Sequence, residues 1–231
     1  MSLPVTTLYM LMSLDGKIST GASDERDFDK DLPRVTGVAE GLGQYYQLEE
    51  GTGPFSLNTG RVLAKVGWND IKINIERLPV SFVVVDNRRL TARGVSNLLE
   101  RTEQLIVVTS NVRHPALRVE DPRLNVLVAD APLDFNRIFS QLADRGIQEL
   151  TVQSGGSLNS TLVRSGLIHY ISVVVAPVLV GGRSTPTLVD GDPLHSDGDL
   201  ALLRPLELLS ARPLDGSYLH LRYAVKTSRK L

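Results

Sequence analysis

The sequence predicts an α/β fold with a mixed, mostly parallel central sheet and an antiparallel hairpin at its C-terminal end. Three observations predict it. Short β-branched runs recur along the chain, bounded by Gly, Pro, Asp or Asn. Helical patterns fall between these runs through the first two thirds of the chain. The last third carries two partly alternating runs around Asp215-Gly216, a dipeptide that favours a tight hairpin turn. Runs apolar on both faces belong to a sheet covered by helices on each side.

Taken in order, the strand candidates span residues 7–12, 54–57, 81–85, 105–109, 125–128, 149–152 and 168–179. The hairpin pairs 202–212 with 217–226. A helix over 132–145 gathers Leu133, Phe135, Ile138, Phe139 and Leu142 on one side, and Gly146 closes it. A short helix over 157–165 ends at Gly166. Another starts near Asn58 and runs to Val66. The Leu, Val and Tyr spacing of 27–50 suits a helix that Pro33, Gly37, Gly41 and Gly43 weaken.

Composition narrows the function. The chain has 231 residues, 25 Lys+Arg, 26 Asp+Glu and no cysteine. That length reads as a single domain over 1–231 that needs no disulfide or metal staple. Without Cys, thiolate zinc sites, iron–sulfur clusters and a thiol nucleophile are excluded. The four His are scattered, so no metal site is expected. A net charge of −1 without a basic run speaks against nucleic-acid or membrane-surface binding. The longest apolar stretch, 171–180, is far short of a bilayer span, and the N-terminus shows no signal-peptide pattern. The expected location is the cytoplasm.

Polar and glycine-bearing loops follow several strands. In Gln153-Ser154-Gly155-Gly156-Ser157-Leu158 a strand runs into Gly-Gly and a helix. Free N–H groups at a helix start can hold a phosphate without Lys or Arg. A tight strand-to-helix turn capped by Ser157 is the plain alternative. Asp15 and Lys17 sit in Ser13-Leu14-Asp15-Gly16-Lys17, either a simple bend or an ionisable pair facing a cleft. Gly60 and Arg61 join a helix start to a guanidinium, which suits a phosphate. Thr109 and Ser110 offer hydroxyls at a strand end. Gly181-Gly182 ends the most apolar strand, as a bulge or as a close approach to a ligand. In open α/β sheets ligands gather at the carboxyl ends of strands, so these loops together point to one cleft.

The order of Ser-Leu-Asp-Gly-Lys (13–17), Gln-Ser-Gly-Gly-Ser-Leu-Asn (153–159), Gly-Leu-Ile (166–168) and Ala-Pro-Val-Leu-Val-Gly-Gly (176–182) resembles the reductase domain of the bacterial bifunctional riboflavin-biosynthesis deaminase-reductases. That resemblance implies a dihydrofolate-reductase-like three-layer sandwich. It implies an NADPH-dependent enzyme like 5-amino-6-(5-phosphoribosylamino)uracil reductase, transferring hydride to the ribosyl C1′. Gly155, Gly156, Ser157 and Leu158 would hold the pyrophosphate, with Gly181 and Gly182 also on the cofactor. Met12 would line the nicotinamide. Gly60, Arg61, Thr109 and Ser110 would lie at the adenosine end and its 2′-phosphate. Asp15, Lys17 and Gln153 would face a small nucleotide-like substrate, with Asp15 as proton donor and Lys17 on phosphate or hydroxyls. A homodimer is implied too.

Departures fall on the substrate side. Gln153-Ser154 stands where the family carries Glu before Gly-Gly, Lys65 where it carries Asp, and His169-Tyr170 where it often carries Asp-Glu. The deaminase half, with its His-x-Glu and Pro-Cys-x-x-Cys, is not in this sequence. A reductase for another heterocycle, such as a dihydrofolate-like pterin, and a non-catalytic nucleotide-binding protein on this fold are the rival readings.

Overall fold

The computed structural model describes residues 3–70 and 79–226. In chain order its elements begin with β1 (Val5–Ser13), α1 (Phe28–Asp31), α2 (Gly43–Glu49), β2 (Phe55–Thr59) and α3 (Gly60–Lys65). Then come β3 (Ser81–Val85), α4 (Ala92–Arg101), β4 (Leu105–Thr109), β5 (Leu124–Val128), α5 (Phe135–Asp144) and β6 (Glu149–Val152). The last are α6 (Gly156–Arg164), β7 (Tyr170–Ala176), β8 (Leu206–Pro213) and β9 (Leu219–Val225). Short 3₁₀ turns join several of them. The chain forms two compact units, Met1–Pro4 with Gly53–Ser154 and Val5–Thr52 with Gly155–Leu231.

In the first unit the strands lie in the order β5-β4-β3-β2-β6, with every described pair parallel. Thr59 pairs with Val85, Val85 with Val108 and Thr109 with Val128. This register brings the loops after β2, β3, β4 and β5 out along one edge. β4 is buried at all five positions, the mark of a strand covered on both faces. Helix α4, which the periodicity reading does not include, packs Val95, Leu98 and Leu99 against Leu63, Trp68, Val84 and Val107. Its start is set by Thr91, whose Oγ1 accepts from the Gly94 N–H at 3.1 Å. Helix α5 begins at Phe135 because Asp134 caps it, accepting from the Asn136 and Arg137 N–H groups at 3.0 and 3.2 Å.

In the second unit the order is β1-β7-β9-β8. β1 and β7 are parallel, and β9 pairs antiparallel with both β7 and β8. The expected hairpin is present, but its first strand starts at Leu206, because Asp197–Leu202 coils into a 3₁₀ turn capped by Ser196 and Asp199. The expected helix over 27–50 does not form. Pro33 and the positive φ of Gly37 (83°) break it into α1, two 3₁₀ turns and α2. Gly41 lies flat against the Tyr218 ring, where a Cβ would come within 2.6 Å. Around this break Tyr9, Phe28, Leu32, Leu42, Tyr45, Val174 and Tyr218 make a core. Its buried hydroxyls are satisfied: Tyr9 donates to the Tyr45 carbonyl at 2.5 Å and Tyr218 to that of Val38 at 2.6 Å. Helix α6 ends before Gly166 (φ 70°), and Arg204 donates to the carbonyls of Val163 and Arg164 at 3.2 and 2.6 Å, a cation at the negative end of the helix.

Candidate active site

The turn after β6 shows what each of its two glycines is for. Gly155 is the residue before α6, in extended backbone (φ −74°, ψ 159°), and no side chain caps the helix start. A Cβ on Gly155 would meet nothing within 4 Å, so this face is open. Gly156 is closed in. A Cβ there would lie 2.3 Å from Asp190 Oδ2 and 2.4 Å from the Thr187 carbonyl oxygen. The Asp190 N–H donates to the Gly156 carbonyl at 3.0 Å. Asp190 Oδ1 in turn accepts from the Thr187 N–H and hydroxyl at 2.9 and 2.7 Å. Gly156 therefore admits the 187–190 loop, while Gly155, exposed Ser157 and half-buried Leu158 front the open side.

Asp15 and Lys17 grip another loop of the same unit. The Asp15 carboxylate accepts from Ser13 Oγ at 2.6 Å and from the N–H groups of Val180 and Gly181 at 3.1 and 2.6 Å. The Ser13 hydroxyl, helped by those two amides, pushes its pKa down to about 2. Lys17 Nζ donates to the carbonyls of Gly182 and Thr185 at 2.8 and 3.1 Å. Backbone bonds from Ile18 to Pro186 and from Leu188 to Gly16 continue the seam. Gly181 and Gly182 both take positive φ (71° and 82°), conformations that side chains disfavour. As folded here, Asp15 is ionised at neutral pH and fully engaged as an acceptor. That geometry ties Asp15 to the loop after β7. Lys17, with three ammonium hydrogens, keeps one for a further acceptor. Met12 sits at the end of β1, half-buried, opposite Val175.

In the first unit Gln153 Oε1 accepts from Ser56 Oγ at 2.6 Å, and Ser56 Oγ accepts from Asn58 Nδ2 at 2.9 Å. Thr59 caps α3 by accepting from the Val62 N–H at 3.3 Å, which places Gly60 and exposed Arg61 on its first turn. Gly60 is required because the Asp86 side chain fills the space a Cβ would need, at 2.2 Å. Thr109 and Ser110 hydroxyls are both turned to Asn87 Oδ1, at 3.0 and 3.1 Å. The residues that organise these loops, Asp86, Asn87 and His114, are absent from the sequence-derived candidates. A polar pair directly after an apolar strand was the available signal. Asp190, which the sequence-derived candidates do not include, is half-buried and bonded to Thr187.

This architecture is that of the riboflavin-pathway reductases. Over 97% of this chain and 59% of the other, it matches RibD of Acinetobacter baumannii with a TM-score of 0.68 at 20% identity. Over 97% of this chain and 90% of the other, it matches the Saccharomyces riboflavin biosynthesis reductase Rib7 with a TM-score of 0.62 at 15% identity. The chain belongs to the RibD C-terminal domain family, whose model matches residues 58–218. It is accordingly an oxidoreductase. It is 30% identical over 237 aligned residues to the 2,5-diamino-6-ribosylamino-4(3H)-pyrimidinone 5′-phosphate reductase of Methanothermobacter thermautotrophicus, covering 96% of this chain and 99% of that one. It is 24% identical to the riboflavin biosynthesis protein RibD of Actinobacillus pleuropneumoniae, of which it spans 57%.

Proposed function

We propose that this protein is a cytoplasmic, NADPH-dependent reductase of riboflavin biosynthesis, acting as one domain over 1–231. Its substrate in this reading is a ribosylaminopyrimidine 5′-phosphate whose ribosyl group becomes ribityl. The near full-length match to the Methanothermobacter pyrimidinone phosphate reductase carries the reading and favours the diaminopyrimidinone as substrate. Among the described residues no helix is long and apolar enough to cross a membrane.

The residues present fit an anionic dinucleotide. The open face at Gly155, ahead of a helix without a side-chain cap, leaves backbone N–H groups for a pyrophosphate. Gly155, Ser157 and Leu158 would bind it, and Gly156 serves by letting the 187–190 loop close in. Gly181 and Gly182 shape a loop on the cofactor side. Gly60, Arg61, Thr109 and Ser110 belong to the adenosine end, and Met12 to the nicotinamide. NADPH, when bound, supplies the hydride. Lys17 offers its remaining N–H to the substrate and supplies the proton that the imine nitrogen of the opened ribosyl group needs as C1′ is reduced. Asp15 holds the loop from which Lys17 works. Gln153 orients the heterocycle through its amide.

The homodimer reading draws support from β8. All eight of its residues are exposed, including Leu206, Leu208 and Leu209, and it ends the strand order of its unit. An edge strand of that kind is ordinarily covered by a partner. The test of the function is direct. Purified protein is offered NADPH with the diaminopyrimidinone and the aminouracil ribosyl phosphates, and absorbance at the nicotinamide band is followed. Oxidation of NADPH with ribityl product supports the reading; no turnover with either substrate refutes it.

A further inference from the structure

The segment 186–190 is held from two sides, in part by side chains to which the reading above gives no task. On one side lies the loop that carries Lys17. The Ile18 N–H donates to the Pro186 carbonyl at 3.0 Å and the Leu188 N–H to that of Gly16 at 3.1 Å. Lys17 and Thr187 face each other between these bonds as an antiparallel bridge. On the other side lies the start of α6. Asn159, wholly buried, donates from Nδ2 to the Leu188 carbonyl at 2.8 Å. Its own N–H donates to the Gly155 carbonyl at 3.0 Å, so this side chain projects from the first turn of the helix. Leu188 is therefore bonded through its N–H to the Lys17 loop and through its carbonyl to the helix that opens at Gly155 and Gly156.

Asp190 closes the same segment. Its N–H donates to the Gly156 carbonyl at 3.0 Å, and its Oδ1 accepts from the Thr187 N–H and hydroxyl at 2.9 and 2.7 Å. The carboxylate thus ties off the turn whose first residue is bridged to Lys17. The chain then stays on the helix, since Arg164 Nη2 donates to the Asp192 carbonyl at 2.6 Å. Lysine carries its charge on a long flexible stem, so fixing the ammonium means fixing both the root of the side chain and the acceptors at its tip. The segment does both. Its bonds to Gly16 and Ile18 hold the backbone around Lys17, and it directly follows Thr185, whose carbonyl accepts from Lys17 Nζ at 3.1 Å. Such precision matters for a proton donor, which must come within about 3 Å of the atom it serves. A misplacement of about 1 Å can cost about 100-fold in rate.

We infer that Asp190 and Asn159 are positioning residues for Lys17, holding the root and the tip of its side chain through the 186–190 segment. This rests on the role of Lys17 as proton donor given above. Turnover of NADPH with the diaminopyrimidinone ribosyl phosphate is measured for single and double variants of the full chain. Asp190→Ala should lower kcat by on the order of 10–100-fold. Asp190→Asn, which keeps an oxygen for the Thr187 N–H and hydroxyl, should restore kcat to within about threefold of wild type, because the role needs an acceptor and no charge. Thr187→Val, which removes only the hydroxyl, should give a smaller loss and serves where Asp190→Ala fails to fold. Asn159→Asp, which turns an oxygen towards the Leu188 carbonyl, should resemble Asp190→Ala. The decisive readout is the Lys17→Met background. There Asp190→Ala and Thr187→Val should cost nothing further, since a residue that acts through Lys17 has nothing left to position. Losses that persist in full on Lys17→Met, or wild-type kcat in a folded Asp190→Ala, overturn the positioning role and leave the reductase reading intact. A Lys17→Met variant with wild-type kcat overturns the proton-donor reading and this role with it. A wild type without turnover overturns both together with the proposed reaction.

Discussion

Gly155→Asp separates the two possible meanings of the turn after β6. The position has ordinary extended backbone, and a Cβ there meets no atom within 4 Å, so the side chain enters without strain. It is also the cap position of α6, where no side chain now caps the helix. Aspartate is a favoured residue there and improves on glycine by a few tenths of a kcal/mol. For a domain of this size that raises the melting temperature by about 1 °C. The same carboxylate stands where the pyrophosphate is proposed to lie. At about 5 Å and an effective dielectric of about 20, two like charges repel by about 3 kcal/mol. NADPH affinity should therefore fall about 100-fold while the fold holds or gains. Nicotinamide fluorescence titration reads the first quantity and differential scanning fluorimetry the second. Wild-type NADPH affinity in a variant with an undiminished melting temperature would refute the anion cradle and leave the turn purely structural.

Gly156→Ala should behave in the opposite way. Its methyl would fall 2.3 Å from the Asp190 carboxylate, a clash expected to cost about 1–3 kcal/mol and visible as a lower midpoint in urea. Asp15 has a folded pKa near 2 against about 3.9 unfolded, so its contribution is complete above about pH 4 and is lost as pH falls towards 2. Asp15→Asn should flatten the pH dependence of stability in that window and leave the neutral-to-basic limb unchanged, as acid titration of the melting temperature will show. Leu208→Glu places a charge on the exposed β8 strand and should convert the proposed dimer to monomer in sedimentation velocity; an unchanged dimer points to another interface.

Much of the fold can be read from local pattern, because strands such as β3 and β4 are apolar throughout and α5 shows one clean face. Helix α4 escapes that reading. Its apolar residues Val95, Leu98 and Leu99 do stand at i, i+3 and i+4 on one face, but they are only three among Arg93, Ser96, Asn97, Glu100 and Arg101, a stripe too short to mark a helix until it packs against Trp68 and Val84. The segment 27–50 misleads in the other direction. Its helical spacing is real, but Tyr9 and Tyr218, far away in sequence, provide the surface that its broken turns fit. The candidate site divides similarly. Glycines announce positions where backbone comes close, yet the approaching partner is distant in the chain: Asp190 for Gly156 and Asp86 for Gly60. The Asp86–His114 pair bridges 28 positions and has no local spacing to reveal it. Ionisable residues such as Asp15 and Lys17 are easy to notice, but their roles depend on which partners hold them.

The hold of Asp15 and Lys17 on the loop after β7 has a consequence for how that loop can vary. The bonds that join these two side chains to the loop end on main-chain atoms, at Val180, Gly181, Gly182 and Thr185. The clasp is thus blind to the side chains it encloses. Arg183 and Ser184 can be exchanged widely without loosening it, so the outer surface of this loop can vary at little structural cost. The freedom stops at Gly181 and Gly182, whose left-handed backbone presents the amide and carbonyl to opposite charges of one five-residue turn. A saturation library across 180–185 would register this as two intolerant glycines followed by tolerance at 183 and 184.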